Sequence, residues 1–337
     1  MRGKANLVRC LLCVLFLTWP VQAKYGGGSG TAEDPYLINT AEQMNAIGSN
    51  WNDWDKHFKL MADIDLSGYA GTDFNIIGIG TRNAFTGVFD GNGKKISNFN
   101  YASTNGGYKG LFRYVSGENA QIKDLGLIAP NIDAGAGSCV GSLIGYVSAG
   151  TITNCYAEGG SVSGKRWVGG LVGYNRGRIK DCYSACGVSG NKEVGGLVGY
   201  NSSGTITNCS ASGDVLGSED VGGLVGGSNG TINNSSATGS VAGDDRDVGG
   251  LVGYNTGPIS NCSAGGDVLG SGHVGGLVGS SSALITDCYA SGSVSGGDSV
   301  GGLVGSTGDL IANCYAIGSV SGTTDVGGLV GVVGDNR

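Results

Sequence analysis

The run Val-Gly-Gly-Leu-Val-Gly occurs seven times, and its spacing constrains the fold more than any other feature of the chain. The copies begin at Val168, Val194, Val221, Val248, Val274, Val300 and Val326. Successive copies are 26 or 27 residues apart, and a related run, Val140-Gly-Ser-Leu-Ile-Gly, lies 28 residues before the first. A fixed period of about 20 to 50 residues is typical of a solenoid, in which each unit stacks on its neighbours.

Other positions repeat with the same period. One column contains Asn154, Asp181, Asn208, Asn234, Asn261, Asp287 and Asn313, and the next contains Cys155, Cys182, Cys209, Ser235, Cys262, Cys288 and Cys314. The segments between are short, rich in Val, Ile and Thr, and bounded by Gly, Ser, Asn and Asp, which is typical of strands joined by turns. We therefore expect an all-β fold, a right-handed parallel β-helix of about 26 residues per rung, since parallel crossovers are nearly always right-handed.

The columns also predict local structure. We expect glycines to supply the φ > 0 corners and the Asn/Asp column to form a ladder at a bend. Leu should point inward in the repeated run, which leaves its two Val columns either partly exposed or covered by something that the sequence does not show. The Cys column should pack inward as free thiols because Ser235 replaces one member; stacked disulfides and a metal site are the alternatives. Cys139 and Cys186 lie outside the column and are candidates for reactive thiols.

The N-terminal third differs from the repeats. Residues 1–23 have a basic start, an apolar stretch and a small-x-small end, so we predict a signal peptide and an exported chain. Thr40 with Gln43 forms a capping box before Met44 and Ile47, which predicts a short helix. We divide the rest into an N-terminal cap with irregular first rungs (24–107) and the repeat β-helix (108–337).

Composition excludes several partners. Charged residues make up 14% of the chain and the net charge is -7. Nucleic-acid binding needs clustered basic residues, and no segment after the apolar N-terminal stretch is long enough to insert in a membrane. We expect neither partner.

The repeated run resembles a known family. Gly-Leu-x-Gly within the run at Val168, followed by Ile179 and Asp181-Cys182-Tyr183, resembles the GLUG-motif repeats of secreted bacterial proteins. This resemblance spans roughly residues 138–337. It implies the fold and an exported location (extracellular, cell surface or periplasm of a bacterium) more than an activity, since such repeats occur in adhesin-like surface proteins and in some IgA-specific metallopeptidases.

The peptidase chemistry of such relatives is not expected here. It requires a His-Glu-x-x-His zinc motif, whereas the chain has only His57 and His273, neither beside a Glu. We expect both histidines at the surface, and we assign no catalytic residue.

An acidic column precedes the repeated Val, with Glu193, Asp220 and Asp247 on consecutive rungs. Stacked carboxylates repel one another, and calcium would relieve the repulsion through oxygen ligands. These three residues are therefore a calcium candidate, and otherwise no cofactor is expected. Paired carboxylates are also what a polysaccharide hydrolase needs, while the simpler reading is a solvated loop.

Basic and aromatic residues cluster in the early repeats. Our candidate ligand-binding set, for an acidic glycan, is Arg166, Trp167, Tyr174, Arg176, Arg178 and Lys180. Aromatic platforms beside cations suit such a ligand, although rung-to-rung aromatic stacking needs no ligand at all.

Together these features predict a non-enzymatic, secreted or cell-surface structural or adhesive repeat protein that binds a polysaccharide or another surface component. A β-helix polysaccharide lyase or hydrolase is the first alternative, and a self-assembling surface scaffold is the second. The last run, at Val326, has no polar cap after it in the sequence, which predicts end-to-end self-association.

Overall fold

The structure, a computed structural model, describes residues 24–104 and 106–334. They form a parallel β-solenoid of about 10 turns with a rung of about 27 residues. Three sheets run along the stack, and all pairings between named strands are parallel. The predicted fold class is confirmed, and the right-handed winding stays a prediction. The predicted signal peptide (1–23) lies outside the described residues.

Sheet 1 is the largest and contains 25 strands. Its first ten strands are Tyr36–Ile38, His57–Leu60, Ile64–Asp65, Val88–Ser97, Asn100–Ala102, Gln121–Ile128, Asn131–Asp133, Thr151–Ser163, Arg178–Lys180 and Tyr183–Ser189. The other fifteen are Thr205–Thr207, Ser210–Ala211, Val215–Gly217, Thr231–Asn233, Ser236–Ala237, Val241–Gly243, Ile259–Ser260, Ser263–Ala264, Val268–Leu269, Ile285–Thr286, Tyr289–Ala290, Val294–Ser295, Ile311–Ala312, Tyr315–Ala316 and Val320–Ser321.

Two smaller sheets carry the repeated run. Sheet 2 has nine strands: Phe112–Val115, Ile144–Val147, Val172–Asn175, Val198–Asn201, Val225–Ser228, Val252–Asn255, Val278–Ser281, Val304–Thr307 and Val330–Val333. Sheet 3 has eight: Ser138–Gly141, Arg166–Gly169, Lys192–Gly195, Glu219–Gly222, Val248–Gly249, Val274–Gly275, Asp298–Gly301 and Thr324–Gly327.

The repeated run crosses a corner of the rung. In the first copy Val168 lies in a strand of sheet 3 that ends at Gly169, Val172 starts a strand of sheet 2, and Leu171 lies between the two strands. All three side chains are fully buried. The inward Leu is confirmed, but the expected exposure of the Val columns is wrong. A run that spans two strands has a separate inward face on each strand, so one alternating pattern does not describe it.

The corners of the regular rungs are occupied by residues other than glycine. The Asn/Asp column has φ between 49° and 55°, and the column before the repeated Val has φ of 50° to 58° at Cys139, Trp167, Glu193, Asp220, Asp247, Ser299 and Asp325. Among the described residues the last glycine with positive φ is Gly160. The expectation of glycine corners is therefore wrong for the repeats. Asn and Asp tolerate the left-handed region because their side chains hydrogen-bond locally.

The Asn/Asp column forms the predicted corner ladder. Asn154 Nδ2 donates to Asp124 Oδ1 at 2.7 Å, and Asn208 Nδ2 donates to Asp181 Oδ1 at 3.0 Å. The side chains thus bridge successive rungs at the bend, a role that glycine cannot fill.

The Cys column points inward, as predicted, and its cysteines are free thiols. Each thiol donates to the carbonyl two residues earlier, as Cys209 Sγ does to Thr207 O at 3.2 Å, and most accept an N–H from the preceding rung. Ser235 makes the same contacts: its Oγ donates to Asn233 O at 2.8 Å and accepts from Cys209 N at 3.1 Å. The left-handed corner interrupts backbone pairing and leaves N–H and C=O groups without backbone partners. The Cys side chains hydrogen-bond these groups, and a Ser hydroxyl can do the same, which explains why Ser can replace Cys.

One α-helix, Ala41–Ser49, and a single 3-10 turn, Trp51–Asp53, precede the regular rungs in the described part of the chain. Thr40 Oγ1 accepts from Gln43 N at 3.3 Å, so the predicted N-cap is confirmed, and Met44 and Ile47 are fully buried. No helix within residues 24–104 and 106–334 combines the length and apolarity needed to cross a membrane.

Candidate functional site

The acidic column lies at a left-handed corner of sheet 3. Glu193, Asp220 and Asp247 occupy it on consecutive rungs and are only 6 to 7% exposed. The reading of a solvated loop is therefore wrong for these three residues. Carboxylates buried to this degree need partners, because an unpaired buried charge is costly.

Each of the three carboxylates has a cationic or imidazole partner. Glu193 accepts from Arg166 through two bonds, from Nε to Oε2 at 2.6 Å and from Nη2 to Oε1 at 2.9 Å. Lys192 Nζ lies 3.5 Å from Asp220 Oδ2. His273 Nδ1 lies 2.7 Å from Asp247 Oδ1, and this hydrogen bond raises the pKa of the histidine.

Asp220 has the weakest compensation of the three. Burial raises the pKa of its carboxyl to about 7, although Lys192 acts in the opposite direction. Within the described ranges no group of three or more His, Cys, Asp or Glu side chains is arranged to hold a metal ion. Calcium at Glu193, Asp220 and Asp247 stays a prediction.

Tyrosines stack along the outside of sheet 2. Tyr114 and Tyr146 are parallel at 4.8 Å between ring centroids, and Tyr146 and Tyr174 at 4.5 Å. Tyr200 continues the stack at 5.4 Å but tilts by 42°, and the next rung has Gly227 in register. Stacked rings cover one another's faces and leave mainly their edges free. This geometry favours the structural reading of the column over a sugar platform.

Trp167 and Arg166 extend this aromatic surface. Trp167 meets Tyr174 edge-to-face at 5.2 Å, and the Arg166 guanidinium lies 4.3 Å from the Trp167 ring centre. The buried indole nitrogen of Trp167 has no hydrogen-bond partner within the described residues. Arg166 is thus committed to Glu193 and Trp167, which lowers its availability to a ligand.

The remaining predicted binding residues lie on the neighbouring corner and on sheet 1. Lys180 Nζ is 3.5 Å from Asp181 Oδ2. Arg176 hydrogen-bonds the Tyr146 hydroxyl, an interaction that raises the pKa of the guanidinium. Arg176 and Arg178 line an open groove of about 310 Å³ together with Glu118, Ser203 and Thr205. The predicted set therefore divides into a paired group (Arg166, Lys180) and a groove group (Arg176, Arg178).

A second polar ladder was not foreseen from the sequence. Asn175, Asn201 and Asn255 are fully buried at the end of sheet 2 strands, where Asn175 Nδ2 donates to Asn201 Oδ1 at 2.9 Å. Their amides also bond the following turn, as Asn255 Nδ2 does to Gly257 O at 2.7 Å. The recurring Tyr-Asn pair after the repeated run was the available signal, and the role of this ladder is to close the turn.

Two cysteines outside the Cys column are buried. Burial raises the pKa of Cys139 to about 12 and that of Cys186 to about 11. Thiols held protonated in this way are poor nucleophiles, which argues against the expectation that these two are reactive.

Comparison with known proteins agrees with this geometry. The family model described as the GLUG motif matches residues 136–163, 190–216, 245–269 and 270–295. The chain carries GLUG repeats. Each matched span starts just before the corner run and ends at the following Val strand of sheet 1, so one GLUG motif corresponds to one rung.

Two curated relatives contain related sequence. A protein named "Putative Gly-rich membrane protein" from Evansella cellulosilytica is 39% identical over 165 residues, which is 45% of this chain and 19% of that protein. Halomucin from Haloquadratum walsbyi is 38% identical over 155 residues, or 43% of this chain and 2% of that protein. The GLUG-repeat chain thus matches a small part of much longer proteins.

A solved structure has a similar fold. The crystal structure titled "putative immunoglobulin A1 protease from Bacteroides ovatus" aligns with a TM-score of 0.50 at 20% identity, covering 91% of this chain and 87% of that one. At this identity the likeness concerns the fold alone.

Proposed function

We propose that this chain belongs to an exported, surface-located repeat protein that binds acidic polysaccharide on its early rungs and performs no catalysis. The names of the two relatives, a membrane protein and a halomucin, support the location. The GLUG repeats support a stacked, extended scaffold.

The groove at Arg176 and Arg178 is the observation that carries the ligand class. Neither guanidinium forms a salt bridge among the described residues, whereas Arg166, Lys180 and Lys192 all do. Guanidinium groups offer a planar fork that matches a carboxylate or sulfate. The groove also has the hydroxyls of Ser203 and Thr205 at its edge, which can bond sugar hydroxyls.

The double variant Arg176→Ala/Arg178→Ala tests this assignment. We expect it to bind polygalacturonate at least about tenfold more weakly at low salt, a loss of about 1.4 kcal/mol. Added salt should narrow the difference because exposed charges are screened. The matched control is Lys94→Ala/Lys95→Ala, which removes the same charge from the irregular first rungs. Equal affinity of the two double variants for polygalacturonate would contradict the assignment of the binding site to Arg176 and Arg178.

The alternatives have less support. A lyase or hydrolase needs carboxylates free to act on a substrate, and Glu193, Asp220 and Asp247 are buried beside partners. A reducing-end assay on the same polysaccharide should therefore stay at background. Exposed Val columns were one of two grounds for the scaffold alternative, and these columns are buried from Val140 to Val304. The other ground, the uncapped run at Val326, is untested, so end-to-end self-association stays a prediction.

A further inference from the structure

A second cleft lies among the irregular first rungs, and its residues precede the Arg176/Arg178 groove in the sequence. One wall is formed by Trp51, Asn52, Trp54 and Asp55, at and just after the 3-10 turn, and the other by residues 81–84 with Thr86 and Ser116. Its volume is about 350 Å³, within the lower range used by small-molecule sites.

Trp51 gives the cleft an apolar surface that the fold does not use. Its side chain is 58% exposed, whereas Trp54 is 2% exposed. Trp54 Nε1 donates to Ile47 O at 2.8 Å, and Thr86 N and Gly87 N donate to Trp54 O, each at 2.8 Å. The segment that bears Trp51 is therefore fixed to the core, so the exposed indole is presented by a rigid support.

The opposite wall supplies polar groups. Ile79 N donates to Asn83 O at 2.7 Å, which closes the loop and places Arg82 at its tip. Asp55 and Arg82 are the only charged residues of the lining in the described chain, one of each sign. The amide of Asn83 adds both a donor and an acceptor. The lining thus pairs an aromatic surface with planar hydrogen-bonding groups and carries no net charge.

We propose that this cleft binds a neutral pyranose unit of a glycan. A pyranose ring has an apolar C–H face, which would pack on Trp51, and a rim of hydroxyls, which Asp55, Arg82 and Asn83 would bond. Tryptophan suits this arrangement because it offers a large apolar surface at low entropic cost. A strongly anionic or cationic ligand would meet a like charge at Asp55 or Arg82.

This site is independent of the proposed acidic-polysaccharide groove. The two use different residues and different physics: the groove depends on exposed cations, and the cleft depends on an indole surface. Binding at the cleft should therefore be nearly insensitive to salt, and it should persist in Arg176→Ala/Arg178→Ala.

Titration of the full chain with maltohexaose, cellohexaose, mannohexaose and xylohexaose tests the proposal. The readouts are tryptophan fluorescence and calorimetry. We expect saturable binding of at least one hexasaccharide with a change in indole emission. Trp51→Ala should abolish the emission change and weaken binding at least about tenfold, or about 1.4 kcal/mol. Arg82→Ala should weaken binding by a smaller factor.

Leu216→Ala is the matched control because Leu216 is 57% exposed on a distant rung. It should leave binding unchanged, and the melting temperature of Trp51→Ala should match that of the parent. No saturable binding of any of the four hexasaccharides would overturn the proposal, as would equal affinity in Trp51→Ala and the parent. A change in sedimentation on Trp51→Ala would instead identify the cleft as a contact between copies, which also overturns it.

Discussion

The lead-in region (residues 36–133) and the repeat region (residues 138–334) build the same solenoid in different ways. In the lead-in region partner residues are far apart in sequence: Phe58 pairs with Phe89, and Phe89 pairs with Ile122, at separations of 31 and 33 residues. In the repeat region Ile152 pairs with Ile179 at a separation of 27. Rungs of different lengths enclose interiors of different cross-section, and this changes which side chains can fill the core.

The fillings differ accordingly. All seven phenylalanines of the chain precede residue 113, and the rings of Phe58, Phe85, Phe89 and Phe112 contact one another with centroids 5.1 to 6.5 Å apart. The repeat region is filled by Ile, Val, Leu, Ala and Cys columns. A constant cross-section can be closed by identical small side chains stacked in register, whereas a variable one needs large rings.

Glycines also serve opposite purposes in the two regions. In the lead-in region Gly93 has φ of +68° and open space where a Cβ would lie. In the repeat region Gly222 lacks positive φ, yet its Cβ would lie 2.1 Å from Val225 O and 2.8 Å from Gly253 N. The first glycine supplies a conformation, and the second permits two backbones to approach closely.

Exchanging the two kinds of glycine for alanine should give the largest effect. We expect Gly222→Ala to cost more than about 4 kcal/mol of unfolding free energy, since the methyl group would meet backbone atoms of its own rung and of the adjacent rung, which cannot yield. Gly93→Ala should cost only about 1 to 2 kcal/mol, the strain of a left-handed alanine. Chemical denaturation followed by circular dichroism measures both. Similar losses in the two variants would contradict the distinction.

The thiol column should give an intermediate effect. In Cys209→Ala the carbonyl of Thr207 loses the thiol that donates to it, which should lower the free energy of unfolding by about 1 to 3 kcal/mol. Cys209→Ser should cost less, because Ser235 already makes the equivalent hydrogen bond in this column. The matching position of the lead-in region is Leu125, in register with Cys155, where no such bond exists. Denaturation curves of the two Cys209 variants decide the order.

Thiol counting on non-reduced protein gives an independent readout of the same column. Alkylation of the column's thiols should be slow in the folded protein in buffer, and it should be complete in denaturant without reductant. Thiols that resist alkylation in denaturant until reductant is added would mean that the column holds disulfides.

The last effect, seen in the pH dependence of stability, concerns the buried carboxylate of the repeat region. The pKa of Asp220 rises from 3.8 to about 7 on folding, so the folded chain binds the proton more tightly than the unfolded chain. Stability from this group is present below pH 3.8 and is lost as the pH rises to about 7. Asp220→Asn should remove that loss while keeping a residue that tolerates the corner. Parallel pH profiles of melting temperature for variant and parent would contradict the assignment.

Much of the fold could be predicted from the sequence because each rung of the solenoid has nearly the same sequence as the next. The period predicted the rung, the Asn/Asp column predicted a corner, and Ser235 predicted that the cysteines of its column are free thiols. The burial of Val168 and Val172 was missed because a corner inside an apolar run does not change the alternation of apolar and polar residues from which strand faces are predicted. The left-handed corner at Glu193 was missed because unlike residues share that column.

The candidate sites were less accessible to sequence reasoning. Arg176 and Arg178 were found because charge is rare in the repeats, but the pairing of Arg166 with Glu193 depends on contacts between rungs. The Trp51 cleft joins residues about thirty positions apart in a region without a period, so no spacing relates Trp51 to Arg82. Only the fold brings them together.

The Cys and Asn ladders have a consequence for how such a chain can change in length. Each rung satisfies its corner through the rung beside it, and it offers the same contacts to the next. A duplication or deletion of one whole unit leaves every remaining unit with an equivalent neighbour, whereas a shift of a single residue breaks both ladders. The molecule therefore grows in steps of one strand spacing, about 4.8 Å. Recombination between units can adjust its reach without any redesign of its interior.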